Sequence, residues 1–373
     1  MKLQPLQLYK IRQVIRITLL WILICVVLEL HNAINYNPAT GNYFFYPHFG
    51  DNMLEHLLIT SAGPLIGGLI FGSFIIFYLR EKLKTSSYGR KLFTHSLIYI
   101  GAVFFCIATV GFIGAMSDKT TNHFIEKLYD AIVNLRVLRL VIDWYFIVII
   151  TIFLLDVSEK YGQGVLRKTL LGKYHTARKE DRVFMFLDLK SSTTIAERIG
   201  EETYFDMLKH FYNITNEAIV NSQGEIYQYV GDEVIVSWNE SEAISKTNCL
   251  DCFYKIKEAI ANASAEFNNL YGVTPDFKAA IHTGSVATGE IGLVKKDIVY
   301  SGDVLNATAR MVALCNHYNA ALIISDVLLK KFKTSHNYNF QYLDSPDLRG
   351  KKTKLGLYSV TKNPSFSLLH NHK

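Results

Sequence analysis

Two aspartates, Asp188 and Asp232, each stand at the end or bend of an apolar, strand-like run, VFMFLDL and GEIYQYVGDEVIVSW. A carboxylate just past a buried strand is costly unless something pairs with it, and a divalent cation can pair with two at once. The alternative use of either residue is to cap a turn. Further along, Asn306 and Arg310 lie four apart in YSGDVLNATAR, which puts an amide and a guanidinium on one face of a helix.

The elements that must position these groups read as an alternation of strands and helices from Arg182 onward. VFMFLDL is a strand. Helical pattern opens at Thr193–Ile199, resumes over Glu201–Ser222 and is broken by Gly224. GEIYQYVGDEVIVSW is a hairpin with Gly231 and Asp232 at its turn. Glu240–Leu270 reads as helical, and FKAAIHTGSVATGEIG as a strand followed by glycine-rich turns. Asp303–Asn316 is helical, ALIISD a strand, and DLRGKKTKLGLYSV a closing hairpin. A unit of this size is an ordinary α+β domain.

The first part of the chain is of another kind. Half of the 373 residues are hydrophobic, and four apolar runs, Val14–Leu30, Leu57–Leu79, Leu92–Met116 and Val137–Leu155, are long enough to span a bilayer. Lys and Arg crowd the N-terminus, the Arg80–Lys91 connection and the segment after the fourth run, whereas His31–His56 has none. That alternation predicts four spans with both termini cytoplasmic, in the cell (inner) membrane. The net charge of +6 is explained by this topology and by contact with membrane lipid. No basic patch interleaved with aromatics points to nucleic acid. Gly68 and Gly72 form a GxxxG that could pair helices within or between chains. Glu29, His31, His56 and Asp143, near the outer span ends, are candidates for sensing an ion or ligand, or simply snorkel. The aromatic loop NYFFYPHFG is an interfacial belt or a partner surface. Cys249 and Cys252 form a lone CxxC in a helical pattern and read as core packing.

The boundaries that follow are a four-helix membrane domain at 1–157, a coupling segment at 158–181, a soluble domain at 182–362 and a short tail at 363–373. FLDLKSST, GEIYQYVGDE, IHTGSVATGEIG and YSGDVLNATAR, in that order, closely resemble the class III nucleotidyl cyclase catalytic domain, the adenylyl and guanylyl cyclase family. YGQGVLRKTLLGKYH is similar to the transducing element that precedes that domain in membrane-bound members. The resemblance implies an α+β domain with a ferredoxin-like βαββαβ core behind an α-helical four-span bundle. It implies that Asp188 and Asp232, with the backbone carbonyl of Leu189, hold two Mg2+ or Mn2+ ions per site. It makes Asn306 and Arg310 the transition-state pair, orienting the ribose and stabilising charge on the α-phosphate. Ser191, Ser192 and Thr193 would cradle phosphate at a helix start, and Lys351 or Lys352 would grip the terminal phosphates. Because the family divides the two sets of residues between protomers, a homodimer with composite sites is implied.

Base choice in the family rests on positions held here by Gln228 and Val299. The Gln amide can donate or accept, Val299 offers no side-chain hydrogen bond, and Tyr300 is a neighbour whose backbone could contribute. The guanine-selecting carboxylate is absent, so the expected activity is conversion of ATP to 3′,5′-cyclic AMP and pyrophosphate, regulated through the membrane domain for signal transduction. Guanylate or purine-promiscuous cyclase activity is the alternative. A reading of another class is a degenerate nucleotide-binding membrane receptor that signals without turnover.

Overall fold

The computed structural model describes residues 5–34, 53–83, 86–87, 89–101, 135–161, 172–294, 296–332, 337–346 and 354–363. The chain divides into two compact units, Met1–Lys160 and Tyr161–Lys373.

Among the described residues of the first unit three helices are long and apolar enough to cross a membrane, with spans at Gln7–Leu28, Ser61–Lys82 and Val141–Ser158. They belong to helices Pro5–Ile34, Met53–Phe74 with its π-helical continuation Ile75–Leu79 and last turn Arg80–Lys82, and Leu135–Tyr161. The expected third span is helical from 92 as far as 101, and its remainder, 102–116, lies outside the described residues. So do the aromatic loop at 42–50 and the connector at 162–171. The GxxxG face packs within the chain. A methyl group on Gly68 would stand 2.8 Å from the Thr18 backbone, and one on Gly72 3.6 Å from Val14. Small residues there let two helix backbones approach closely, as apolar helices in lipid require. Trp21 donates from its indole nitrogen to Thr151 Oγ1 at 3.0 Å, and Val14, Ile17, Ile76, Val148 and Ile152 close the core around it.

The described residues of the second unit build one eight-stranded mixed sheet. Its strands are β1 (Arg178–Leu189), β2 (Glu225–Val230), β3 (Glu233–Asn239), β4 (Phe277–Ile291), β5 (Asp297–Ser301), β6 (Leu322–Ser325), β7 (Tyr338–Asp344) and β8 (Leu357–Lys362). The order is β2-β3-β1-β4-β6-β8-β7, with β5 added to the far half of β4. Only the β4–β6 pairing is parallel among those described; the rest are antiparallel.

Side chains alternate between faces along a strand, and β1 sorts its residues accordingly. Val183, Met185, Leu187 and Leu189 join a core covered by helices Glu201–Asn221 and Asn248–Asn262. Phe184 and Phe186 face the other way, into a smaller core closed by helix Asp303–Leu314. Asp188 and Arg182 belong by parity to this second face.

Two sequence expectations differ from the structure. Glu240–Leu270 is not one helix: it breaks into Glu240–Ile244, a 3-10 turn Ser245–Thr247, Asn248–Asn262 and Ser264–Tyr271. Lys246 and Thr247 carry positive φ at the first break. The glycine-rich run after FKAAIH is not a set of turns either, because β4 continues through it to Ile291. Its glycines answer to packing. A methyl on Gly284 would meet Val304 at 2.6 Å, and one on Gly289 would meet Ala177 at 3.3 Å. Removing the side chain lets the helix and the incoming chain lie directly on the strand.

Candidate active site

Asp188 is the last residue but one of β1, opposite Glu233 on β3 and Lys278 on β4. Asp232 follows Gly231 in the turn between β2 and β3, where φ of Gly231 is +62°. That backbone region is open to glycine at little cost, so the turn can be tight. The turn is also held from behind, since Tyr212 Oη donates to the Gly231 carbonyl at 2.9 Å. Leu189, the next residue of β1, is buried with its side chain in the larger core.

The electrostatics of this corner are lopsided. Lys278 Nζ lies 3.3 Å from Asp188 Oδ2. Even so, burial holds the Asp188 carboxyl above its ordinary range; Lys278 works against this, and the neighbouring Asp232 carboxyl reinforces it. Glu233 is pushed up from 4.5 to about 7, by burial first and then by Asp188 and Asp232. Three carboxyls thus face one ammonium, and a further cation would relieve the excess. Oxygen donors of this kind suit Mg2+ or Mn2+. Among the described residues no group of three or more His, Cys, Asp and Glu side chains makes a ready cage. A sparse carboxylate set of that sort fits Mg2+, which usually takes its other ligands from water and substrate phosphates. The residues present therefore fit the implied ions.

Ser191 takes a left-handed conformation, φ 55°, and launches helix Ser192–Ile199 with no side-chain cap. The first amides of a helix lack intrahelical acceptors and are available to an anion. Ser192 is half-buried, and Ser191 and Thr193 are exposed.

Asn306 and Arg310 ride on helix Asp303–Leu314, whose Val304, Ala307, Thr308, Met311 and Val312 are buried. That leaves Asn306 exposed and Arg310 half-exposed. Neither makes a side-chain hydrogen bond or ion pair with the described residues. Gln228 is exposed on β2, next to a bulge between Ile226 and Gln228. Val299 is half-exposed on β5, paired with Gly289. Tyr300 is buried, and its ring packs edge-on against Phe184 and Tyr227. Its backbone N–H points to Tyr227 Oη at 3.4 Å. Lys351 and Lys352 lie outside the described residues.

Sequence reasoning passed over Lys278 and Glu233. The signal for Lys278 was a single lysine inside an otherwise apolar strand, where a buried charge needs a partner. Glu233 follows Asp232 directly and was hidden as an ordinary polar residue at a hairpin turn.

Residues 175–362 match the family model described as adenylate and guanylate cyclase catalytic domain. The chain is 33% identical over 210 residues to adenylate cyclase 2 of Rhizobium meliloti (strain 1021), covering 56% of this chain and 58% of that protein. It is 26% identical over 192 residues to adenylate cyclase 1 of the same organism, covering 49% of this chain and 28% of that one. The chain thus spans less than two thirds of the length of either relative. A solved structure of a bacterial light-regulated adenylyl cyclase is similar at 20% identity and a TM-score of 0.48, over 59% of this chain and 64% of the other. That of the guanylyl cyclase Cya2 is similar at 18% identity and a TM-score of 0.44, over 51% and 96%.

Proposed function

Because the chain belongs to the adenylate and guanylate cyclase catalytic domain family, we propose that it is a membrane-anchored cyclase that converts ATP to 3′,5′-cyclic AMP and pyrophosphate. The observation that carries this reading is the corner where Asp188 and Asp232 meet with more negative charge than Lys278 balances. In the reaction the ribose 3′-oxygen forms a bond to the α-phosphorus as it loses its proton, and the bond from that phosphorus to the β-phosphate oxygen breaks. Such a displacement needs positioning and charge neutralisation more than covalent help. Two Mg2+ or Mn2+ ions, held by Asp188, Asp232 and the Leu189 carbonyl, would polarise the hydroxyl and balance the triphosphate when bound.

The chain's own residues divide the remaining work. Lys278 holds Asp188 in place and keeps a positive charge at the acid corner. The helix start at Ser191, Ser192 and Thr193 offers amides to phosphate oxygens. Lys351 is assigned to the terminal phosphates. Asn306 orients the ribose and Arg310 takes up charge developing on the α-phosphate. Both point away from their own protomer's core, which supports a homodimer in which one protomer supplies the carboxylates and its partner the amide and guanidinium. Gln228 and Val299 face the base. A Gln amide is compatible with either purine; the absence of a guanine-selecting carboxylate favours ATP. Four spans, with both termini and the catalytic domain on the cytoplasmic side, follow from the Lys and Arg distribution, and the membrane unit serves as the regulator.

The test is an assay of the purified full-length chain with ATP and GTP separately, in Mg2+ and in Mn2+. Cyclic AMP is the expected main product, with turnover lowered at least about a hundredfold in Asp188→Ala and Arg310→Ala. Equal turnover by the wild type and Asp188→Ala would overturn the metal assignment. Nucleotide binding without product from either purine would favour a receptor without turnover.

A further inference from the structure

Arg182 is 1% exposed, and nothing in the proposed chemistry uses it. A guanidinium is tolerated in such a place only where polar partners meet its donors, so its surroundings must be built for it. They are. Nη1 and Nη2 each donate to Glu225 Oε2 at 3.2 Å, Nη1 also to Ser237 Oγ at 3.2 Å, and Nε to Glu180 Oε2 at 3.3 Å. The guanidinium carbon lies 4.9 Å from the centre of the Tyr300 ring. From β1, one side chain therefore engages β2, β3 and β5.

The partners lie on strands that are not neighbours. Along this half of the sheet the order is β2-β3-β1-β4-β5. In a flat sheet β2 and β5 would be four strand spacings, about 19 Å, apart. Yet the Tyr227 and Tyr300 rings are 4.8 Å apart, edge to face. This half of the sheet is thus curled until β2 and β5 meet over Arg182. The tyrosine on each edge adjoins a residue assigned to the base: Tyr227 precedes Gln228 in the β2 bulge, and Tyr300 follows Val299. The other end of the network reaches the chain entering from the membrane unit. Glu180 Oε1 accepts from Lys173 Nζ at 2.8 Å and from Tyr174 Oη at 3.4 Å. The Tyr174 carbonyl accepts from the Glu290 N–H at 2.9 Å, on the part of β4 that pairs with β5.

We infer that Arg182 is the positioning residue of the purine pocket, fixing the Gln228 and Val299 edges against each other and tying both, through Glu180, to Lys173 and Tyr174. The inference rests on the cyclase reading above. Arg182 touches no substrate; it sets the distance between β2 and β5, each of which pairs with one strand alone among the described residues. Lysine keeps the charge but cannot make the forked contacts to Glu225 and stack on Tyr300 together.

The experiment uses the full-length chain in detergent or lipid nanodiscs and compares wild type, Arg182→Lys, Tyr227→Phe and Lys173→Met. Melting temperature, kcat and KM are measured for ATP and GTP, and dissociation constants for fluorescent (mant) analogues of both. Arg182→Lys is expected to raise KM and the ATP-analogue dissociation constant about tenfold and to narrow the discrimination between purines about fivefold, while kcat changes less than about threefold. Tyr227→Phe, which removes the acceptor for the Tyr300 N–H, should move the same quantities in the same direction by about threefold. Lys173→Met should do so more weakly. A folded Arg182→Lys with unchanged KM and purine preference overturns the inference. If Arg182→Lys does not fold, unchanged values in Tyr227→Phe overturn it. A wild type that binds both analogues but cyclises neither would sink the cyclase reading alone, and the analogue affinities of the variants would still decide the role of Arg182.

Discussion

Glu233 is the residue whose protonation should be easiest to read out. Its carboxyl is raised from 4.5 to about 7 in the fold, so between those values the folded chain binds more protons than the unfolded one. Stability then falls as pH rises through that window. The melting temperature of the metal-free protein is expected to drop by a few degrees between about pH 5 and pH 7. Glu233→Gln should flatten the profile, and Mn2+ should flatten it in the wild type by supplying the missing positive charge. A metal-free profile identical in wild type and Glu233→Gln would show that the acid corner is not the cause. Cys249 and Cys252 give a second prediction. Both are fully buried, and burial pushes the Cys252 thiol up to about 12 and the Cys249 thiol further in the same direction. Neither should be alkylated in the native chain at pH 8, and both should react on unfolding, as peptide mass spectrometry can follow. The aspartates stand out in sequence as candidates because each ends or bends an apolar run, where a carboxylate needs a partner. Lys278 and Arg182 show in sequence only as cations beside apolar runs, because what such a cation does is defined by partners on other strands. Asp188 is 90 positions from Lys278, and Glu225 is 43 from Arg182.

Among the elements, helix Asp303–Leu314 depends most on a single missing side chain. Gly284 lies under its first turn, where a methyl group would stand 2.6 Å from Val304. Gly284→Ala should push the helix off the sheet, destabilise the domain by about 1–3 kcal/mol, and lower turnover more than substrate binding, because Asn306 and Arg310 move with it. Val304→Ala, by making room, should restore much of the loss in the double variant. Equal losses in the single and double variants would show that crowding is not the cause. This contact also explains why the strand pattern was misread. A run with glycine at 284, 289 and 292 looks like a series of turns, whereas two of its glycines are flat places on which other elements rest. The hairpin at Gly231 was read correctly because its turn chemistry is local. The breaks within 240–271 carry no proline, and only tertiary packing decides where such a helix stops.

At the scale of the whole molecule, the outward-facing Asn306 and Arg310 suit a site completed by a second copy. If so, Asp188→Ala and Arg310→Ala, each inactive alone, should recover up to about a quarter of wild-type activity when coexpressed. Half of the random dimers would then be mixed, each with one intact site. Recovery absent despite proven mixed dimers would argue for sites contained in one chain. An apolar helical part followed by an α+β part could be read from the sequence, since run length and charge asymmetry are set by the local order of residues, and the chain divides into two units after Lys160. The curl that brings Tyr227 to Tyr300 could not be read, because it is a property of the sheet as a whole. One strand links the acid corner to the Tyr174 contact. Between Lys278, beside Asp188, and Glu290, bound to the Tyr174 carbonyl, β4 runs unbroken for about 40 Å. Both residues are even-numbered and share a face only because the count between them is even. Inserting one residue would invert every side chain beyond it, whereas inserting two would preserve the faces and merely lengthen the span. Length differences in this strand among related chains are therefore expected in pairs, a parity that a multiple alignment can check by counting.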